Sequence, residues 1–402
     1  MTAPFGAELP LPGPDQLVVY VLGPGVGESQ VLVFPDGRCV VVDACMSRGV
    51  NLPAELLKHL GLARIDLLVL THPDQDHFLG FAGLVKDFSP EEIWRYPFAG
   101  YVKDLVARWT QKRNAPARFK ELYDALEAIE QYCDAHGTGT ETNHSTTSWR
   151  NEASGYRVQS LAPTNYDQAR LRRVWDKIIE FDVRGEPRLS RFARRLLKGQ
   201  VGIPLVANVL SLALAVRWGP WKILLGGDVE NGNRRPFSGW KGVLVHAARH
   251  GHGELVHEVD LVKVAHHGSS HAFHPPAWQN HRKPDGSTAA AVAPFNPSGL
   301  PTREVLTQLH PLCGSLGLTA YDARKMQTRV RASGWVRASG SASSGWAPCL
   351  AVVFPVKGRV QLSAHGPAQW FVHRKPGPGT RKGGPRRGTG QSTTKRSRSR
   401  GP

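Results

Sequence analysis

Four side chains of the metal-ligand type lie within six residues of one another in the segment Thr71-His72-Pro73-Asp74-Gln75-Asp76-His77. The apolar run of residues 67–70 precedes this segment, and open α/β sheets place their chemistry at the carboxyl ends of such buried strands. In an extended loop, His72, Asp74 and Asp76 project the same way because they are two apart, and His77 can turn inwards as residues 78–88 become helical. Two imidazoles and two carboxylates suit two adjacent divalent ions. The alternative, a polar loop in which Asp residues cap a helix, explains one Asp and neither histidine.

Two further strand ends carry residues of the same chemical type. Asp228 follows the apolar run of residues 221–225 and the pair Gly226-Gly227, where the backbone leaves room for a bound ion. The doublet His266-His267 follows an apolar run that ends at residue 265. An isolated Asp in a turn, or an isolated histidine pair, is more often structural. Three such strand ends in one chain favour a shared metal site.

These motifs resemble the metallo-β-lactamase fold. Thr-His-x-Asp-x-Asp-His after an apolar strand is similar to its first metal motif, and the form with Asp in the third position is similar to the soluble hydrolase domain of the ComEC/Rec2 competence proteins. The segment 226–230, Gly-Gly-Asp-Val-Glu, resembles the family's Thr-Gly-Asp-x-Glu, and residues 266–269 match its His-His-Gly-Ser. The resemblance covers about residues 17–362. It departs from the family at Asp43-Ala44-Cys45, where Asp-Gly-Gly is usual, and at Leu300-Pro301, where a His is frequent.

The resemblance implies an α/β fold, a four-layer αββα sandwich, and a site with two divalent metal ions, Zn or Mn. His72 and Asp74 would hold one ion, Asp76, His77 and His266 the other, and Asp228 would bridge them. We choose His266 because it is the first residue off the strand, which leaves His267 as its partner or a substrate contact. The residues that we assign to catalysis are Asp76, Asp228 and His267. Both ions would lower the pKa of a shared water to near neutrality, so that hydroxide would be available to attack phosphorus at neutral pH.

The chain is expected to form one large domain with additions. Residues 1–16 are a Pro-rich extension, residues 17–372 the hydrolase domain, and residues 373–402 a basic tail without the apolar residues a core needs, which predicts disorder. Helical spacing in about 100–135 and 166–200 predicts two insertions into the αββα body. The second is rich in arginine and could face phosphates, although a run of charge is usually a solvated helix face.

The positive charge of the chain points to an anionic partner. The net charge is +18. The tail has ten Lys and Arg residues and no acidic residue, so the rest of the chain has a net charge of +8. A body that is still basic favours nucleic acid, DNA first, as the substrate, although basic balance is also an ordinary solubility feature.

Cysteine use and hydropathy bear on the compartment. The five cysteines are odd in number and form no C-x-x-C pair, which favours a reducing, cytoplasmic location. No secretory signal pattern begins the sequence, and the most apolar segment, residues 201–216, falls short of the roughly 20 residues that a spanning helix needs. We therefore expect a soluble protein without membrane insertion.

Three functions remain open at this point. The first is a metal-dependent phosphodiesterase or nuclease that acts on DNA. The second is a metallo-hydrolase of a small ester, thioester, lactone or nucleotide, which would share the metals but need a narrow pocket and a substrate affinity insensitive to salt. The third is a non-catalytic, metal-binding regulatory module, against which the full set of expected ligands argues.

Overall fold

The computed structural model describes residues 3–110, 117–142, 147–181, 187–189, 208–232, 237–321, 324–338 and 345–373. Within these ranges the chain alternates between strands and helices. The predicted basic tail lies outside the described residues except for residue 373, and so does most of the predicted second insertion beyond residue 181.

The described residues form 21 strands, most of which belong to two large sheets. In chain order they are β1 Gln16–Leu22, β2 Ser29–Val33, β3 Cys39–Val42, β4 Met46–Ser47, β5 Val50–Asn51, β6 Leu67–Leu70, β7 Glu92–Arg95, β8 Thr140–Glu141, β9 Ser148–Asn151, β10 Tyr156–Ser160, β11 Ile179–Phe181, β12 Pro187–Leu189, β13 Leu214–Trp218, β14 Trp221–Leu225, β15 Leu261–Lys263, β16 Ala289–Val292, β17 Ser315–Leu318, β18 Trp335–Arg337, β19 Cys349–Pro355, β20 Gln361–His365 and β21 Gln369–His373.

The same part of the chain contains ten α-helices and several short 3₁₀ turns. The helices are α1 Leu52–His59, α2 Gln75–Phe78, α3 Phe81–Phe88, α4 Ala99–Thr110, α5 Ala117–His136, α6 Asn165–Ile178, α7 Gly239–Arg249, α8 Pro275–His281, α9 Arg303–Leu309 and α10 Arg324–Ala332. None of them combines the length and the apolar character that crossing a bilayer requires.

The two large sheets differ in strand order but share one arrangement of parallel strands. The first has the order β20-β19-β1-β2-β3-β6-β7-β8, and the second has the order β18-β21-β17-β16-β15-β14-β13-β10-β9. Strands β3, β6, β7 and β8 are parallel, and so are β14 to β17. Because parallel strands end at the same edge of a sheet, each sheet gathers the loops that follow its strands along one edge.

The second sheet is covered on both faces, and its strands are apolar throughout. Ala289 and Ala291 of β16 pack into the core that also contains strands of the first sheet, whereas Ala290 and Val292 pack with the helices on the other face. Successive side chains of a strand point to opposite faces, so a strand buried on both sides must be apolar throughout. The layers are therefore helix, sheet, sheet and helix, as the sequence predicts.

The two regions predicted as helical insertions contain helices and a hairpin. Helices α4 and α5 occupy the first region, and they pack on each other. In the second region α6 ends at Ile178, and β11 and β12 pair as antiparallel strands where the prediction continues the helix.

All five cysteines are buried, and none of them forms a disulfide.

Candidate metal centre

Asp43, the residue directly after β3, orients the first metal loop. Its Oδ1 accepts a hydrogen bond from the Thr71 backbone N–H (2.8 Å), and its Oδ2 accepts one from the Thr71 hydroxyl (2.7 Å). The same Oδ2 lies 2.7 Å from Nδ1 of His77. A carboxylate that holds one ring nitrogen leaves the other free to bind an ion, and here the Nε2 of His77 points to the centre of the site.

The loop after β6 brings its ligand-type residues close to a carboxylate of the other sheet. Nε2 of His72 lies 3.6 Å from Oδ2 of Asp74 and 3.6 Å from Oδ2 of Asp228. Nε2 of His77 lies 3.7 Å from Oδ2 of Asp76 and 3.5 Å from Oδ1 of Asp228. Two ligands at about 2.0–2.1 Å from one tetrahedral ion are about 3.4 Å apart, so these separations suit shared coordination.

The glycine before Asp228 is required by the backbone. Gly227 has a φ of +49°, and a Cβ added there would lie 2.3 Å from the carbonyl oxygen of Leu212. The close approach lets the Asp228 N–H donate to Oγ of Ser211 at 2.8 Å. Ser211 Oγ also lies 3.5 Å from Nδ1 of His72, so one hydroxyl contacts both sides of the site.

The doublet after β15 divides its two side chains between different environments. Nε2 of His267 lies 2.9 Å from Oδ2 of Asp76, and its Nδ1 lies 2.8 Å from the carbonyl oxygen of Ala293. Its side chain is 2 % exposed, whereas that of His266 is 22 % exposed. Nε2 of His266 lies 3.9 Å from Oδ2 of Asp228, and its Nδ1 lies 3.5 Å from Nδ2 of Asn208. His267 therefore lies within the cluster and His266 at its mouth, whereas the sequence pattern predicts His266 as the ligand; Nε2 of each lies 3.9 Å from Oδ2 of Asp228.

Three clusters of the described residues have ligand atoms close enough together to hold a metal ion. They are His72, His77 and Asp228; Asp76, His77 and His267; and Glu28, Asp43 and His77. The buried atoms His72 Nε2, His77 Nε2 and Asp228 Oδ1 have no hydrogen-bond partner. Because leaving a buried polar atom unpaired is costly, three such atoms facing one point fit a cation.

Mutual charge sets the protonation of this cluster. Burial would raise the pKa of the Asp76 carboxyl, but the His77 and His267 imidazoles outweigh burial and lower it to about 2. The Asp228 pKa lies well below its usual range for the same reason. Burial would lower the pKa of His77, yet the carboxylates of Asp228, Asp43 and Asp76 raise it well above the usual value. A cation would replace these imidazole protons, since a metal binds neutral imidazole.

A buried ion pair lies beneath His267. Lys263, the last residue of β15, donates to Oε1 of Glu28, which precedes β2 in the first sheet. Both side chains are fully buried. Oε2 of Glu28 lies 3.3 Å from Nδ1 of His267, so the pair joins the two sheets directly under the candidate centre.

Sequence reasoning missed Glu28, Asp43 and Lys263 as parts of the site. Asp43 has a weak local signal, an Asp at the end of an apolar strand. Lys263 has a clearer one, because a lysine inside the apolar run 261–265 must find a buried partner. Glu28 sits in a Gly-rich turn and carries no signal of its own.

A match to a known protein family covers part of the first half of the chain. Residues 22–154 match the Metallo-beta-lactamase superfamily. No curated protein matches the sequence.

Solved structures give remote similarities. The YhfI metallo-beta-lactamase fold protein from Bacillus subtilis has 10 % identity and a TM-score of 0.33, over 69 % of this chain and 86 % of that one. A diphosphatase of the PhnP family has 12 % identity and a TM-score of 0.35, over 74 % and 93 %. CmlA, a diiron beta-hydroxylase from Streptomyces venezuelae, has 13 % identity and a TM-score of 0.31, over 64 % of this chain, which spans only 35 % of that protein.

The fold assignment therefore rests on the superfamily match and on the two-sheet topology rather than on these remote likenesses. The match includes the metal loop, and the clusters of His and Asp supply donors for divalent ions. Together they support a metal-dependent hydrolase. Residues 22–154 carry a metallo-β-lactamase superfamily match, and the chain has the fold of that superfamily.

Proposed function

We propose that the protein is a metal-dependent phosphodiesterase that acts on DNA. The observation that carries this proposal is the convergence of three unpaired buried atoms, of His72, His77 and Asp228, on a point lined by further carboxylates. A centre rich in carboxylates suits hard divalent ions, which favour phosphate oxygens. The basic balance of the chain favours a polyanionic substrate over a small neutral ester.

The proposed centre holds two divalent ions. His72 and Asp74 would hold the first, Asp76, His77 and His267 would hold the second, and Asp228 lies beside both sets. When bound, the ions would activate water at neutral pH and stabilise the negative charge that develops on the phosphoryl oxygens. Asp74 in place of a third histidine of the loop makes one position harder, so Mn is a candidate beside Zn.

The residues around the ions have positioning roles in this proposal. Asp43 holds His77 through Nδ1, and the Ala293 carbonyl with Glu28 holds His267 through Nδ1. Each contact fixes which ring nitrogen faces the centre. His266 is free of these constraints and contacts the substrate instead, from its more exposed place beside Asn208. A closer kinship with the ComEC/Rec2 hydrolase domains and a cytoplasmic location belong to the same proposal.

Alanine substitutions in the doublet should separate the two histidines. We expect His267→Ala to lose one of the two bound ions, because Nε2 of His267 faces Asp76, whereas His266→Ala should keep both and lose activity alone. Metal analysis of the purified variants by mass spectrometry gives the ratio of ion to chain. Loss of an ion in His266→Ala and retention of both ions in His267→Ala would instead support His266 as the metal ligand, as chosen from the sequence.

The proposed activity is tested on the purified protein with Mn or Zn. We expect cleavage of DNA and of bis(p-nitrophenyl) phosphate, inhibition by a chelator, and little hydrolysis of a carboxylic ester. Hydrolysis of the ester or a lactone in preference to both phosphodiesters would overturn the proposal. Full metal loading without hydrolysis of any of these substrates would favour a regulatory module.

Deletion of residues 374–402 should weaken DNA binding in a way that depends on salt. The segment carries ten positive charges, and each phosphate contact adds to the salt dependence of binding through counterion release. We expect a smaller slope of log Kd against log salt, and the largest loss of affinity at low salt. Metal content and turnover of bis(p-nitrophenyl) phosphate should stay unchanged. An unaltered slope would exclude the tail from DNA binding.

A further inference from the structure

Exposed aromatic rings lie along one side of the candidate centre together with arginines. Large exposed hydrophobic side chains are few in the described part of the chain, and the aromatic ones among them are Tyr101, Tyr166 and Phe237, which are 59 %, 40 % and 38 % exposed. Single exposed rings are ordinary on a protein surface, whereas rings grouped in one patch mark a site of interaction. All three belong to ring contacts that form two groups on neighbouring helices.

The first group joins the first insertion to α6. The rings of Phe98 and Tyr101 lie 6.2 Å apart, and the guanidinium of Arg172 lies 5.6 Å from the Phe98 ring. The second group joins α6 to α7, because the rings of Tyr166 and Phe237 lie 6.5 Å apart and the guanidinium of Arg249 lies 5.6 Å from Phe237. Arg172 and Tyr166 are both on α6, about 9 Å apart along the helix axis. We call these six residues the aromatic stripe.

The segments that carry the aromatic stripe are joined to the candidate centre by three contacts of neighbouring residues. Phe98 follows Tyr96, whose N–H bonds to the carbonyl of Leu70 at the start of the metal loop. Helix α6 packs against the turn Asn208–Leu210, and Nδ2 of Asn208 lies 3.5 Å from Nδ1 of His266. The N–H of Trp240 in α7 bonds to the carbonyl of Glu230, two residues after Asp228.

The end of the aromatic stripe at α7 is held in place by a buried network. Oγ1 of Thr164 lies 2.8 Å from the Phe237 carbonyl oxygen and 2.7 Å from Oδ2 of Asp167, and its single proton is shared between these two acceptors. The Ser238 hydroxyl donates to the other oxygen of Asp167. This network fixes α6 against the residues before α7, so the Tyr166 and Phe237 rings keep their spacing without being covered.

We propose that the aromatic stripe is a stacking surface for the bases of a single strand of DNA that leads into the metal centre. This inference rests on the proposed function and adds the form of its substrate. Aromatic rings combined with guanidinium groups suit a single strand, because each base presents a π-face and each linkage a negative charge. A duplex hides its base faces within the stack and presents only base edges and the backbone, so its bases cannot stack on the exposed rings.

Binding of fluorescent oligothymidylate to the full chain tests the proposal. A chelator is present throughout, so no cleavage occurs, and anisotropy gives the Kd. We expect Tyr166→Ala with Phe237→Ala to weaken single-strand binding by at least about 10-fold, since each stacked base contributes strongly. Duplex of the same length should bind more weakly to the parent protein and should not respond to the substitutions. Tyr166→Phe with Phe237→Tyr should retain affinity because the rings remain.

Salt and surface controls separate stacking from charge. Loss of the rings should lower the affinity by the same factor at every salt concentration, whereas Arg172→Ala with Arg249→Ala should also reduce the salt slope. Val336→Ala with Val372→Ala removes exposed apolar groups on β18 and β21 and should leave the Kd unchanged.

The outcomes distinguish this inference from the function on which it rests. The stacking proposal would be overturned if the Tyr166→Ala, Phe237→Ala variant bound single strands within twofold of the parent affinity, even if the protein cleaves DNA. An equal loss for duplex would also overturn it. Binding of single strands through the rings, without any DNA cleavage by the metal-loaded protein, would support the aromatic stripe and refute the nuclease activity.

Discussion

Asp228→Ala should abolish hydrolysis of DNA, with a fall in kcat of at least about 1,000-fold. Asp228 is the carboxylate that faces the imidazoles of both His72 and His77, so its loss removes a ligand from each proposed ion. The measurement is kcat on DNA and on bis(p-nitrophenyl) phosphate, together with the metal content of the variant. We expect the metal content to fall with the activity.

Two companion variants make the Asp228 result specific. Ser211→Ala removes a hydroxyl that accepts from the Asp228 N–H and contacts His72, and we expect a smaller loss of about 10–100-fold. Asp285→Ala removes an exposed carboxylate outside the cluster and should leave activity unchanged. An Asp228→Ala protein that keeps more than a tenth of the activity would contradict the proposed centre.

Lys263→Met should lower the free energy of unfolding by about 3–5 kcal/mol. The substitution leaves the buried Glu28 carboxylate without its lysine partner, and the His267 imidazole beside Oε2 becomes its remaining ion-pair contact among the described residues. Urea denaturation in the presence of a chelator measures this change apart from any effect of bound metal. Activity should fall as well, since Glu28 lies beside Nδ1 of His267.

The double variant Lys263→Met with Glu28→Gln is the matched control for the ion pair. A buried pair contributes little net stability when both charges are removed together, so most of the lost stability should return. A double variant as unstable as Lys263→Met alone would mean that the cost comes from packing around residue 263 rather than from the unpaired charge.

The positions of the metal loop and of Asp228 could be predicted because each follows an apolar strand directly. Strand β6 ends at Leu70, β14 ends at Leu225, and the first ligand-type residue comes within three residues of each end. A buried strand is visible in the sequence as an unbroken apolar run. Parallel strands then end at the same edge of a sheet. The αββα layers are expected from the resemblance to the metallo-β-lactamase fold rather than from these runs.

The order within the histidine doublet could not be predicted because it depends on backbone angles. Strand β15 ends at Lys263, and His266 and His267 have φ values of +49° and +53° in the turn that follows. Left-handed conformations at two successive residues turn the side chains away from the alternation of a strand. The rule that the first residue off the strand faces the site therefore does not apply here.

The contact between Glu28 and Lys263 beneath the site could not be predicted for another reason. Glu28 and Lys263 are 235 positions apart, and only the packing of one sheet on the other brings them together. The second insertion shows the converse limit, because α6 ends at Ile178 although charged residues at helical spacing continue beyond it. Local spacing predicts local structure, and these features depend on distant parts of the chain.

The ligands of the centre come from both sheets, and this division has a consequence for how the protein could be handled. Residues 72–77 follow β6 of the first sheet, whereas Asp228 and His267 follow β14 and β15 of the second. A polypeptide cut between residues 181 and 208 would keep an incomplete donor set on each fragment. Retention of the cations by such a nicked preparation would then be a chemical assay for reassembly of its two pieces.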